Sequence, residues 1–571
     1  MLALLGFSVD CFAALACLLG PAAAQEPDPA PPPSAQPAQE QNPSPPIERV
    51  PAPEQKVPAF AELEAMGARI GEIRIQTRNI FDLEVEGENG FLYRAADAIH
   101  VQTRRGVIER KLLFKSGERV SVRLIEETER LLRTNRFLYD VSIVPVALHD
   151  GVVDIDVRTR DTWTLEPGIS LSRSGGSNRR GATLRDTNAL GSGVLVGVNR
   201  SSDAERTTTQ YQISDPHAFD GWTTVDYSYS QLSDGENRAI AVNRPFYALD
   251  TRWAAGLSAS TDNRVNTLFE NGSTLSQFRH HQDVAETYGG WSKGLVDGWV
   301  QRYSVGLTYR KDTYNEEPAL PAPSQLPPSQ TIAAPFLRYE VVQDAYEKYK
   351  NMDLIERPEY FVLGFQSSVQ LGRGWTGFGS TQNLWLYSAS ASDGFRLPSG
   401  GILLASASTG GQSGYGPVDS QSTSGSVRFY SHPSSGSLIF VSLSGDHLKD
   451  ATQSSQLVLG GDTGLRGYPR NYQSGDHRAL LNVESRVYTD WYPFRLIRVG
   501  GAVFYDLGRA WGGPNGNTEN TGWLNDVGLG LRLLSARSAF GNVLHIDLAF
   551  PLNHDPGIKR VQFLVTTKVA F

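Results

Sequence analysis

Val527-Gly528-Leu529-Gly530-Leu531-Arg532-Leu533 and Leu544-His545-Ile546-Asp547-Leu548-Ala549-Phe550 alternate between apolar and small or polar side chains. Successive side chains of a strand point to opposite faces, so each string has one largely apolar face. The other face carries Gly528, Gly530, Arg532, His545 and Asp547, which a solvent-filled or protein-filled lumen accepts. Similar strings lie further back, at Val225 to Tyr229, Tyr303 to Tyr309 and Leu384 to Tyr387, separated by Gly, Ser, Asn and Asp clusters. Beyond Arg160 helical periodicity gives way to this alternation. The pattern predicts a mainly β fold, a transmembrane antiparallel β-barrel over residues 163–571. At roughly 25 residues per strand and connection, it predicts about 16 strands. Closure pairs the last strand with the first and leaves no edge in lipid. Phe563, Val565, Val569 and Phe571 lie on one face of that last strand.

Composition agrees with spread-out rather than clustered apolar residues. Of 571 residues 40% are hydrophobic, and mean hydropathy is -0.31. After the N-terminus no apolar run reaches the roughly 20 residues of a membrane helix. A net charge of -8 gives no reason to expect nucleic acid. The only cysteines, Cys11 and Cys17, lie in an apolar opening that ends Ala22-Ala23-Ala24. Residues 1–24 therefore read as a secretory signal peptide, and the mature chain as an exported protein without disulfides. Residues 25–62, rich in Pro, Ala and Gln, read as a disordered linker.

Between linker and barrel, residues 68–161 read as a small α/β module. Ile70 to Ile75 has strand alternation, Val107 to Phe114 and Val122 to Arg133 have helical spacing, and Tyr139 to Val146 and Val153 to Val157 alternate again. The predicted order is strand, helix, helix, strand, strand.

One segment interrupts the barrel alternation: Gly460-Gly461-Asp462-Thr463-Gly464-Leu465-Arg466-Gly467-Tyr468-Pro469. It is Gly-rich and holds a single cation. Downstream, Asn482, Glu484 and Arg486 share one strand face, and Phe504, Asp506 and Gly508 share another. Glu484 and Asp506 thus project into the lumen, where unpaired carboxylates are costly. Arg466, carried inward on the loop, can satisfy both with charge-assisted hydrogen bonds.

Leu465-Arg466-Gly467-Tyr468 resembles the lumenal-loop motif of the superfamily that contains BamA, TamA and the two-partner secretion transporters. Phe504-Tyr505-Asp506-Leu507-Gly508 resembles its second barrel motif, whose aspartate pairs with the loop arginine. The module at 68–161 is similar to a single POTRA domain, with Phe114-Lys115-Ser116-Gly117 and Asn135 to Val141 in their expected places. Phe571 resembles the C-terminal signal read by the barrel-insertion machinery. The chain departs from the subgroups in having one such module, where BamA-like proteins have several and two-partner transporters two. Thr566 and Thr567 stand where the signal often has glycine.

The resemblance implies a bacterial outer-membrane protein with its N-terminal domain in the periplasm. It implies assembly of outer-membrane proteins by strand templating, or export of one dedicated partner. A structural or passive channel is the third reading. Expected partners are unfolded outer-membrane or secreted clients, outer-membrane lipids, and accessory proteins at the POTRA-like domain. No cofactor or enzymatic activity is expected: His-Glu-x-x-His, the phosphate-binding loop and Gly-x-Ser-x-Gly are all missing from the sequence. His280-His281 reads as part of a polar loop, and Pro318 to Pro335 as a long extracellular one.

Overall fold

Helix α1 (Phe60–Ala65) leads into strand β1 (Arg69–Arg78), the first strand of the N-terminal domain. Helices α2 (Phe91–Ile99), α3 (Arg105–Glu109) and α4 (Val122–Arg133) follow, then strands β2 (Leu138–His149) and β3 (Val152–Asp161). The sheet order is β1-β3-β2, with β1 and β3 parallel and β2 and β3 antiparallel. Leu63, Ile70, Ile108, Leu132, Val141, Val153 and Val157 form its core. The computed structural model describes residues 57–568, apart from 319, 415–418, 450–455, 514–515, 520–521, 539–542 and 554–557. The signal-peptide reading, most of the linker, Val569 and Phe571 lie outside the described residues.

Two boundaries differ from expectation. The linker reading overran, because the Ala-Glu-Leu-Glu-Ala stretch forms α1 and buries Leu63 completely. The helix expected over Val107 to Phe114 is only Arg105–Glu109, closing in a turn where Lys111 and Leu112 bond back to Ile108 and Glu109. Helix α2 has no counterpart in the sequence reading.

The barrel begins with six short strands: β4 (Leu165–Ser174), β5 (Ser177–Asp186), β6 (Leu195–Ser202), β7 (Thr207–Ala218), β8 (Thr223–Leu232) and β9 (Gly235–Arg244). Longer ones follow: β10 (Trp253–Glu270), β11 (Ser273–Val296), β12 (Trp299–Glu316) and β13 (Gln330–Gln343). A hairpin of β14 (Tyr346–Lys350) and β15 (Pro358–Val362) then stands apart from the wall. The wall resumes with β16 (Gln366–Gly374), β17 (Leu384–Arg396), β18 (Ile402–Ser413), β19 (Ser420–Ser434) and β20 (Ser437–Lys449). After a second small pair, β21 (Leu457–Leu459) and β22 (Gln473–Gly475), come β23 (His477–Tyr488), β24 (Ile497–Trp511), β25 (Leu524–Ser535), β26 (Val543–Pro551) and β27 (Gln562–Lys568).

The closed antiparallel barrel has 20 strands, not about 16. The expectation failed on spacing: two-residue turns such as Gly175-Gly176 and Ser233-Asp234 join strands of 10 residues. Each strand with its connection therefore uses roughly 20 residues over the barrel, below the spacing used for the count. His280 and His281 are likewise not in a loop. They lie within the 24-residue β11, where His280 stacks on Tyr314 and sits 3.0 Å from Asp312. Polar lumen-facing positions made that strand look like a connection.

The N-terminal domain packs against one end of the barrel, here called proximal. Leu249 N–H donates to Glu127 of α4 (2.8 Å), Arg537 to Glu88 (2.5 Å), and the Tyr93 hydroxyl to the Phe494 carbonyl (2.8 Å). Asp161, fully buried at the joint, accepts from the Thr103 N–H and hydroxyl at 2.7 and 2.8 Å. The β14–β15 hairpin meets the domain and the barrel interior together. Tyr360 and Lys348 reach Glu129, while Met352 and Phe361 pack on Ile402, Tyr430 and Phe440 inside the wall.

Lys111 provides a test of this docking. Its Nζ donates to the Pro216 carbonyl at 3.0 Å and lies 4.6 Å from the Trp222 ring centroid. Burial pushes this ammonium down to about 8, from an ordinary value of 10.5. Between those values the undocked lysine holds more proton than the docked one, so docking strengthens as pH rises through that window. Amide protection factors of the Lys111 segment, corrected for the intrinsic rise of exchange with pH, should increase accordingly, and Lys111→Met should abolish the trend.

Candidate functional site

The loop between β20 and β23 turns from the distal end into the lumen. Gly460, Gly461 and Gly464 take φ of 128°, 64° and 121°, conformations open chiefly to glycine. Leu465 and Tyr468 are fully buried and pack with Leu459, Tyr472, Ala510 and Leu524. The Tyr468 hydroxyl lies 2.8 Å from both the Asn525 carbonyl and the Asn553 side-chain oxygen. Gly467 brings its N–H to 2.9 Å from Asp526. A Cβ there would lie 2.6 Å from that of Asp526, so the approach requires glycine.

These contacts deliver Arg466 to the strand face that carries the acids. Its Nε and Nη2 donate to the two Asp506 oxygens at 2.7 and 2.8 Å, a fork-on-fork pair. Nη1 reaches Glu484 at 3.2 Å and Asp547 at 3.4 Å. The guanidinium carbon lies 3.4 Å from the Phe504 ring centroid. Gly508 leaves room for Leu459, whose Cδ2 would lie 3.0 Å from an added Cβ.

Glu484 is the junction of the cluster. One of its oxygens accepts from Arg466, and the other from Arg532 at 2.8 and 3.0 Å and from Arg486 at 3.2 Å. Arg532 also donates to Asp547 at 2.5 Å. Arg486 donates as well to the Met352 carbonyl at 2.8 Å. The loop entering from the distal end and the hairpin entering from the proximal end therefore meet through one carboxylate.

The loop also touches the other side of the barrel closure. Arg470 N–H donates to the Gly175 carbonyl in the β4–β5 turn at 3.1 Å. Strand β27 joins β4 through one register pair among the described residues, Val565 with Arg173, whereas every other neighbouring pair in the wall has at least seven. Phe563 is exposed on the outer face of β27.

Solved structures with a similar arrangement include CdiB from Escherichia coli, at TM-score 0.46 and 15% identity over 89% of this chain and 77% of that one. CdiB from Acinetobacter baumannii matches at 0.45 and 12%, over 88% and 73%. BamA from Haemophilus ducreyi lacking POTRA domains 1-3 matches at 0.36 and 14%, over 87% and 85%. No protein-family model and no curated protein matches the chain.

The structure brings Arg466, Glu484, Phe504 and Asp506 into contact. It adds Arg532, Asp547 and Asp526, of which sequence reading placed the first two on a lumenal face and gave neither a part in the loop's ion pairs. Their strand parity carried the missing signal: Asp526 is the register partner of Asp506, and Asp547 that of Gly530. The cluster holds no nucleophile beside a base, and among the described residues no group of His, Cys, Asp and Glu could hold a metal ion. Its ion pairs tie the loop to β23, β24 and β26.

Proposed function

We propose that this chain is an outer-membrane barrel of the superfamily that its Leu465–Tyr468 and Phe504–Gly508 motifs resemble, and that it handles unfolded polypeptide at the β4–β27 seam. The observation that carries this reading is the loop straddling the seam, with Arg466 on β23, β24 and β26 and Arg470 on the β4–β5 turn. Apolar side chains such as Leu257, Val305, Leu337 and Leu529 on the outer wall support membrane insertion. A client strand would exchange backbone hydrogen bonds with the seam edge, with no covalent step and no nucleotide. In the periplasm, β2 is an edge strand of the domain sheet and offers a site for β-augmentation.

Export of one partner is the second reading, and a cavity of about 690 Å³ favours it. Ser390, Ser406, Ser408, Ser424, Ser426 and Ser444 line one side. Such hydroxyls would hydrate a passing chain without gripping its apolar side chains. Depletion followed by proteomics of the outer-membrane and secreted fractions separates the readings. Loss of many barrel proteins is the expected result, and loss of a single exported protein would replace assembly by export. Unchanged fractions would sink both.

A further inference from the structure

Helix α2 is amphipathic the wrong way round for a water-soluble domain. Tyr93 and Asp97, one turn apart, face the protein. The Tyr93 ring lies 4.8 Å from that of Phe81, its hydroxyl donates to Phe494, and Asp97 accepts the Phe81 N–H at 3.2 Å. Phe91, Leu92 and Ile99 point away and are 76%, 71% and 71% exposed. Ordinary amphipathic helices bury the apolar stripe and hydrate the polar one.

The helix is also placed along the rim. Just before it, Glu88 is held by Arg537 in the β25–β26 turn. Just after it, Arg104 donates to the Leu190 carbonyl in the β5–β6 turn at 3.2 Å. Between those turns the wall order is β26, β27, β4, β5, so the segment from Glu88 to Arg104 that carries α2 passes the β27–β4 seam. The neighbouring proximal turns show the same apolar display. Leu190, Phe219 and Phe494 are well exposed and take φ of 53°, 53° and 52°, a costly backbone state for bulky residues. Trp491 is exposed beside Phe494.

We infer that α2 is an interfacial helix that lays Phe91, Leu92 and Ile99 into the periplasmic leaflet at the foot of the seam, continuing an apolar girdle made by the proximal turns. The occupant is phospholipid. Arg94, exposed beside the apolar arc, extends toward headgroups. The inference rests on the reading of the barrel as membrane-inserted.

The test uses the full chain with Cys11 and Cys17 replaced by serine, reconstituted in phosphatidylethanolamine–phosphatidylglycerol vesicles. Single cysteines at Leu92, Ile99, Leu529 and Glu109 carry an environment-sensitive fluorophore, and the quenchers are lipids spin-labelled near the headgroup and at mid-chain, and aqueous iodide. Lipid should reduce emission at Leu92→Cys, Ile99→Cys and Leu529→Cys, and iodide only at Glu109→Cys. If Leu529→Cys is quenched by lipid while the two helix positions follow Glu109→Cys, the helix belongs to water or to a protein partner and the inference falls alone. If Leu529→Cys is not quenched by lipid, the membrane reading falls with it.

Discussion

Arg466→Ala should release the lumenal loop while the barrel still closes. Removal leaves Asp506 without its fork and takes one cation from Glu484 and Asp547, all three of them buried. Breaking a buried pair from one side costs about 3–5 kcal/mol, most of it the stranded charge. Arg532 and Arg486 remain on Glu484, so the wall is not left without cations. The loss should therefore appear as proteolysis within residues 456–476 and a lower unfolding midpoint, with client handling impaired. Arg466→Lys should rescue little, because one ammonium cannot span both Asp506 oxygens and rest flat on Phe504. A protected loop and full client handling in Arg466→Ala would remove the Arg466 cluster from the mechanism.

Locking the seam should be as severe. Val565 and Arg173 are register partners, so cysteines at both positions stand within disulfide reach. Under oxidation the Val565→Cys/Arg173→Cys chain should fall to background activity, and a reductant should restore it. The matching control is Val487→Cys/Gly501→Cys, between β23 and β24, where a long ladder already holds the strands. Equal activity of the oxidised and reduced seam variant would show that clients do not use this edge.

Much of this was legible in the chain because alternation is local. Val527 to Leu533 and Leu544 to Phe550 follow from period-two patterning alone, and β25 and β26 contain them. The loop arginine and its acids were legible because Gly-rich turning, a lone cation and inward carboxylates constrain one another. Strand number was not, because it depends on how tightly each turn closes, and an average spacing per strand does not register tight turns such as Ser233-Asp234 before Gly235. Asp526 and Asp547 were missed for a different reason. Which inward acids gather around Arg466 depends on register between strands, a non-local quantity that no single string encodes. Helix α2 escaped because nine residues with apolar side chains turned outward do not resemble a packed helix.

A wall of 20 strands sets a hazard of its own. Barrels of 16–18 strands already enclose an aqueous channel, so an empty ring of this girth would leak small solutes across the envelope. Here the loop around Arg466 descends from one mouth, and the hairpin around Met352 rises from the other beneath the N-terminal domain. Both are tied to Glu484, the loop directly through Arg466 and the hairpin through Arg486, so on the proposed function the wall would part at β4–β27 while the two plugs stay joined. On the proposed function, barrier and gateway would then be separate parts of one wall: the plugs close the lumen, and the seam would serve the client.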